Sequence, residues 1–146
     1  MSTPDKEMIS AVVDESFIFR SLEEDIRATL KDAAEVRHYN EGDVLIREDE
    51  EGTEMMIVVS GTVEVSQLSY KGELSLAELG KRAVVGEVSV LTGTKRTSTV
   101  TAKEEVTVLC FSKEIIQSIV ASSDKVKKLL FKLVEGRARQ SIVFSK

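Results

Sequence analysis

Hydrophobic and polar positions along this 146-residue chain change their period twice. Near the N-terminus Met8, Val12, Val13, Phe17 and Phe19 recur loosely at helical spacing. Leu22, Ile26 and Leu30 then fall at every fourth position, which places them on one face of a helix. Ser21-x-x-Glu24 has the form of a capping box at that helix's start. Residues 1–38 are therefore expected to form an N-terminal helical segment. From Tyr39 to Phe111 short apolar stretches alternate with polar residues and are broken by glycines: Val44 and Ile46, then Ile57 to Val59, Val63 and Val65, Leu74 and Leu76, Val84 and Val85, Val100, Val106 and Val108. Seven or eight strands at this spacing suit a sandwich or barrel over 39–111. The acidic stretch from Glu48 to Glu54, with Gly52 inside it, is expected to be an exposed turn.

Past Phe111 the helical period returns. Ser112 is placed to cap a helix carrying Ile115, Ile116, Ile119 and Val120 on one side. A break at Ser122-Ser123-Asp124 precedes a last helix, whose stripe of Val126, Leu129, Leu130, Leu133 and Val134 must pack against something. The order helices, β-roll, helices (the last over 112–146) predicts one α+β domain, with no internal repeat or Pro-rich linker.

Composition narrows the function. No window approaches a membrane span and the N-terminus lacks a basic-then-apolar leader, so a cytosolic location is expected. One cysteine, Cys110, and one histidine, His38, are too few soft ligands for zinc, so no metal and no cofactor are expected. Cys110 lies in an apolar strand as a small hydrophobe, and His38 lies far in sequence from any candidate base or ligand cluster, so no catalytic residues are assigned. The net charge of −5 disfavours whole-surface binding to nucleic acid or anionic lipid, and no DNA partner is expected. That charge is unevenly spread: residues 121–146 carry +5 and the preceding 120 carry −10. A basic terminal helix is either a solvated face or an arm that meets an anionic partner.

The stretch from Val85 to Ala102, V-G-E-V-S-V-L-T-G-T-K-R-T-S-T-V-T-A, carries the chemistry. A glycine followed by a tight helical turn leaves backbone N–H groups pointing outward, an arrangement that favours a phosphate. Arg96 offers a charged fork to phosphate oxygens, and Glu87 can accept from a sugar hydroxyl. A carboxylate beside a phosphate is otherwise repulsive, so the pair points to a phosphate on a polyol. The competing reading is a surface hairpin in which Glu87 and Arg96 form an ordinary ion pair.

The same stretch closely resembles the phosphate-binding cassette of cyclic-nucleotide-binding domains, the family of catabolite activator proteins, protein kinase A regulatory subunits and cyclic-nucleotide-gated channels. The residues that match are Gly86, Glu87, Val88, Ser89, Val90, Leu91, Arg96, Thr97, Ser98, Val100 and Ala102. Tyr39 to Glu48, the Gly52 turn and Ile57 to Val65 are similar to the family's opening strands, and the two segments after Phe111 to its B and C helices. The resemblance implies an eight-stranded antiparallel β-roll and a ligand, cAMP or cGMP. Arg96 would pair with an exocyclic phosphate oxygen, Glu87 would accept from the ribose 2′-hydroxyl, and N–H groups near Ser89 and Thr97 would complete the cradle, with Gly86, Val88 and Ser98 shaping it. Thr97 either reaches the 2-amino group of a syn guanine or is indifferent to the base. Arg137 or Arg139 lies where channel-type domains cap the purine, and each is otherwise part of a solvated face. The family's usual aromatic before Gly-Glu is missing in Ala83-Val84-Val85, which predicts looser packing there.

Two functions follow. In the first the chain is a sensor in which nucleotide binding draws the terminal helix over the site and so controls an effector, a kinase, a channel or another protein, in cis or in trans. Truncation after Ser123 is then expected to weaken affinity severalfold. In the second it is a nucleotide-independent module that keeps the fold and docks or homodimerises through that helix.

Overall fold

A computed structural model describes residues 3–144, with side chains over 5–136. In chain order the elements are α1 (Thr3–Glu15), α2 (Glu24–Ala33), β1 (Glu35–Tyr39), β2 (Val44–Ile46), β3 (Glu54–Ser60), β4 (Val63–Ser69), β5 (Gly72–Leu79), β6 (Val84–Val85), α3 (Glu87–Thr92), β7 (Thr99–Ala102), β8 (Val106–Ser112), α4 (Lys113–Ser122) and α5 (Asp124–Phe144). The eight strands form two antiparallel sheets, in the orders β1-β8-β3-β6 and β2-β7-β4-β5. This is the expected α+β roll flanked by helices at both ends.

Two apolar cores explain the two kinds of strand pattern. Successive side chains of a strand point to opposite faces. In the first sheet Met55, Ile57, Val84, Leu109 and Phe111 face a core shared with the helices, while Met56, Val58, Val85, Val108 and Cys110 face the interior of the roll. Strands covered on both faces read as continuous apolar runs, as Met55 to Val58 do. The second sheet gives only alternate residues, Ile46, Val63, Val65, Leu76 and Val100, to the roll interior. Its strands therefore alternate. Phe19 meets Phe111 edge-on at 5.6 Å, joining the N-terminal helices to the sheet.

Several expectations are corrected. The capping box does not form: α2 starts at Glu24 with Glu23 at its N-cap and no side-chain cap bond, and residues 16–21 turn instead around the buried Ser16. Phe17 is left in that turn, exposed, rather than on a helix face. The helical segment ends at Ala33, because Glu35–Tyr39 pairs with β8 as a strand. Ser112 does cap α4, its Oγ accepting from the Ile115 N–H at 3.2 Å. The stripe on α5 divides. Val126 and Leu130 are fully buried in the core that also holds Val90 of α3, whereas Leu129 lies beside Phe131 and Lys125 in an outward-facing groove. The first two turns of α5 thus contribute side chains to the core. Truncation after Ser123 would remove part of the fold rather than report on the site.

Candidate ligand-binding site

Between β6 and β7 the chain makes one short helix bounded by two left-handed glycines. Gly86 (φ 83°) is the N-cap of α3 and Gly93 (φ 73°) its C-cap, where the Gly93 N–H donates to the Ser89 carbonyl at 3.0 Å. Gly86 is also required by space: a Cβ there would lie 2.8 Å from Arg96 Nη1 and 2.9 Å from the Glu54 carbonyl oxygen. The backbone therefore turns sharply enough to put the first residues of α3 against the guanidinium.

Arg96 is the organising side chain. Its Nη1 donates to the Gly86 carbonyl at 3.0 Å and to Ser89 Oγ at 2.9 Å, and its Nη2 donates to the Glu54 carbonyl at 2.8 Å. Its backbone closes on the acidic turn, the N–H donating to the Glu50 carbonyl and the carbonyl accepting from the Asp49 N–H, both at 2.8 Å. Arg96 thus joins the start of β3 and the entry to α3 through its guanidinium and the 47–53 turn through its backbone. It is only 7% exposed, and Glu87 and Ser89 are 1% and 2% exposed. Burial pushes the guanidinium pKa down, and the charges of Glu54, Glu87 and Glu50 oppose that shift.

The acidic turn departs from its expected character. Glu51 and Thr53 are exposed, but Gly52 between them is buried directly against Ser89. The turn is a wall of the site as well as a surface loop.

Of the residues singled out from sequence, the structure brings Gly86, Glu87, Ser89 and Arg96 together around the start of α3. Val88 is half-buried one position further along, its carbonyl accepting from Thr92 Oγ1. Thr97 is exposed, with its carbonyl fixed by Gln67 Nε2 at 2.8 Å, and Ser98 lies half-buried on the bend into β7. The side chains of Arg137 and Arg139 lie outside the described residues. Sequence reasoning did not assign Gly52, Glu54 or Gln67 to the site. Gly52 had a signal, a glycine inside an acidic run. Glu54 acts through its carbonyl, which no side-chain pattern discloses. The expected looseness before Gly86 is not found: Val84 and Val85 are 3% and 1% exposed.

His38 and Cys110 hold structural positions. His38 sits on β1 with Nδ1 2.9 Å from Thr107 Oγ1 of the neighbouring strand. Cys110 is buried, and burial pushes its thiol pKa up to about 12. Among the described residues no group of His, Cys, Asp and Glu is arranged to hold a metal ion, and no helix is long and apolar enough to cross a membrane.

This fold and site place the chain in a known family: the profile of the cyclic nucleotide-binding domain matches residues 36–123, and the chain belongs to that family. It is a family of regulatory, non-catalytic binding modules. Relatives include a cAMP-dependent protein kinase regulatory subunit of Mycosarcoma maydis, 33% identical over 58% of this chain and 16% of the relative. The cGMP-dependent protein kinase 2 of Mus musculus is 29% identical over 77% of this chain and 15% of its own length. The chain thus spans about a sixth of these relatives. Among solved structures, the regulatory domain of Toxoplasma gondii protein kinase A with cAMP superposes with a TM-score of 0.76 at 26% identity, covering 82% of this chain and 46% of that one.

Proposed function

We propose that this domain binds a cyclic nucleotide at the start of α3 and passes the occupancy of that site to an effector through α5. Arg96 pairs with an exocyclic oxygen of the cyclic phosphate while keeping its bonds to Gly86 and Glu54. The N–H groups of Ser89 and Thr97 complete the phosphate cradle, and Glu87 accepts from the ribose 2′-hydroxyl. Gly86 permits the close approach, and Val88 and Ser98 line the path of the cassette around the ligand. Thr97 is the residue proposed to read the purine, adenine in cAMP or guanine in cGMP.

The observation that carries this reading is the desolvation of two opposite charges, Glu87 and Arg96, around one six-residue helix. Withdrawing charged groups from water is costly, so a buried pair of opposite charges is a weak device for stability and a better one for recognition. A cyclic phosphate on a ribose matches these two buried groups, a monoanion beside Arg96 and a hydroxyl donor beside Glu87. The names of the relatives, one cAMP-dependent and one cGMP-dependent kinase, support the ligand class and leave the base to be measured. Signal transfer is supported by contact: α5 packs on both α3 and β5, and Val126 and Leu130 share a core with Val90.

Calorimetric titration of the protein and of Arg96→Lys and Glu87→Gln with cAMP and cGMP tests the reading. Each variant, checked as folded by its melting curve, is expected to bind about tenfold or more weakly, the scale of one hydrogen bond to a charged group. Variants that bind like the wild type would refute the assignment of these two residues. A wild-type chain that binds neither nucleotide at millimolar concentration would favour the nucleotide-independent docking module.

A further inference from the structure

The residue whose carbonyl anchors Arg96, Glu54, also carries a partly buried ion pair. Arg37 on β1 donates through Nη1 to Glu54 Oε1 at 2.5 Å and through Nη2 to Glu54 Oε2 at 2.8 Å, a bidentate fork. Its other edge grips Glu35, with Nε 3.1 Å from Oε1 and Nη2 3.2 Å from Oε2. Both partners are largely withdrawn from water, their side chains 30% and 23% exposed. Glu54 therefore meets two arginines by two different groups: its carboxylate holds Arg37 and its carbonyl holds Arg96.

That division of labour has a chemical consequence for the phosphate site. Glu54 and Arg96 line one polar pocket of about 190 Å³, with Arg47 and Glu50 also on its wall. Arg47 is mostly exposed and faces Glu50 at 3.8 Å. Arg96 is buried, and the negative charges of Glu54, Glu87 and Glu50 act on its guanidinium. A carboxylate on the residue whose carbonyl already holds the guanidinium is a rival for any anion that Arg96 is to bind, since Arg96 cannot offer one N–H edge to both.

Resting on the cyclic-nucleotide reading of this site, we infer that Arg37 is a positioning residue that holds the Glu54 carboxylate away from Arg96 and so keeps the guanidinium open to the phosphate. Arg37 touches no ligand. It acts by occupying both Glu54 oxygens, which also fixes the first residue of β3 and with it the carbonyl that anchors Arg96. Removing Arg37 frees the carboxylate to turn onto Arg96; removing the carboxylate's charge as well takes the rival away.

The test is the pair Arg37→Ala and Arg37→Ala/Glu54→Gln, titrated with cAMP and cGMP, with melting curves alongside. Arg37→Ala is expected to bind about tenfold more weakly, and the added Glu54→Gln to recover at least fivefold of that loss. A merely structural role predicts the opposite, because the second substitution removes another native partner and should weaken the protein further. A double variant that binds no better than Arg37→Ala, or an Arg37→Ala that binds like wild type, overturns the inference. The ligand-free proteins give an independent reading: the Arg96 Nε–H signal in NMR spectra is expected to move in Arg37→Ala and to return in the double variant, and no movement overturns the inference. If the wild-type chain binds neither nucleotide, the proposed function fails, and these ligand-free spectra still decide whether Arg37 restrains Glu54.

Discussion

Replacing Gly52 by alanine adds one methyl group at the point where the acidic turn rests on α3. Its Cβ would lie 2.0 Å from Ser89 Oγ, 2.5 Å from Ser89 Cβ and 3.4 Å from Arg96 Nη1. Gly52 does not have a left-handed backbone, so alanine brings no conformational penalty and only the contact matters. Neither the turn nor α3 can absorb such an overlap without moving, and overpacking of this kind costs about 1–3 kcal/mol. Moving Ser89 also breaks the Arg96–Ser89 bond, about 1.5–3 kcal/mol for a hydrogen bond to a charged group. The sum is roughly 2.5–6 kcal/mol, which for a chain of this size lowers the melting temperature by about 10 °C or more. Ligand affinity should fall with it, because the displaced group is the start of α3. Adding Ser89→Gly to Gly52→Ala removes the obstructing side chain, so the double variant should be more stable than the sum of the two single changes predicts. Differential scanning calorimetry of the four proteins measures this directly. An unchanged melting temperature in Gly52→Ala, or strict additivity in the cycle, would refute the placement of the turn against α3.

Three further outcomes are expected. Truncation after Ser123 removes Val126 and Leu130, fully buried side chains of which Leu130 alone is worth about 2–5 kcal/mol, and should leave a protein that does not fold, whereas truncation after Gly136 should fold and bind severalfold more weakly if Arg137 or Arg139 covers the purine; circular dichroism and titration separate the two. Thr97→Ala should lower cGMP affinity more than cAMP affinity, and equal losses would remove Thr97 from base recognition. Asp14, bonded to Lys31 and Arg27 of α2, is held below the usual carboxylate range, chiefly by the Lys31 hydrogen bond and against the upward push of burial. A depressed carboxylate contributes stability above its unfolded pKa and loses it as pH falls through the lower folded value, so the melting temperature of Asp14→Asn should trail wild type at neutral pH and converge with it in acid.

Much of the fold was legible because burial follows period. The continuous run in β3 and the alternation in β4 both survive as structure, since the first sheet is covered on two faces and the second on one. Local signals were less dependable. Ser21-x-x-Glu24 had the form of a cap, yet Phe19 and Leu22 are drawn into the core and the chain turns about Ser16 before α2 begins. The apolar stripe of α5 was legible as a stripe but not as two parts, because only the packing of the rest of the fold decides that Val126 and Leu130 enter the core while Leu129 lines the outer groove. At the site, Glu87 and Arg96 stood out by charge beside glycines. Gly52 and the Glu54 carbonyl did not, because their contributions are an absent side chain and a backbone atom brought forty-two residues along the chain to Arg96.

The central claim is that a buried arginine and a buried carboxylate at one short helix receive a cyclic phosphate and its ribose. Titration of the intact chain with cAMP and cGMP, beside the corresponding 5′-monophosphates, tests it most directly. Saturable binding of at least one cyclic nucleotide, with the more highly charged open phosphates rejected beside Glu87 and all binding lost in Arg96→Ala, is the predicted result. No heat from either cyclic nucleotide at millimolar concentration, or equal binding of cyclic and open forms, would contradict it.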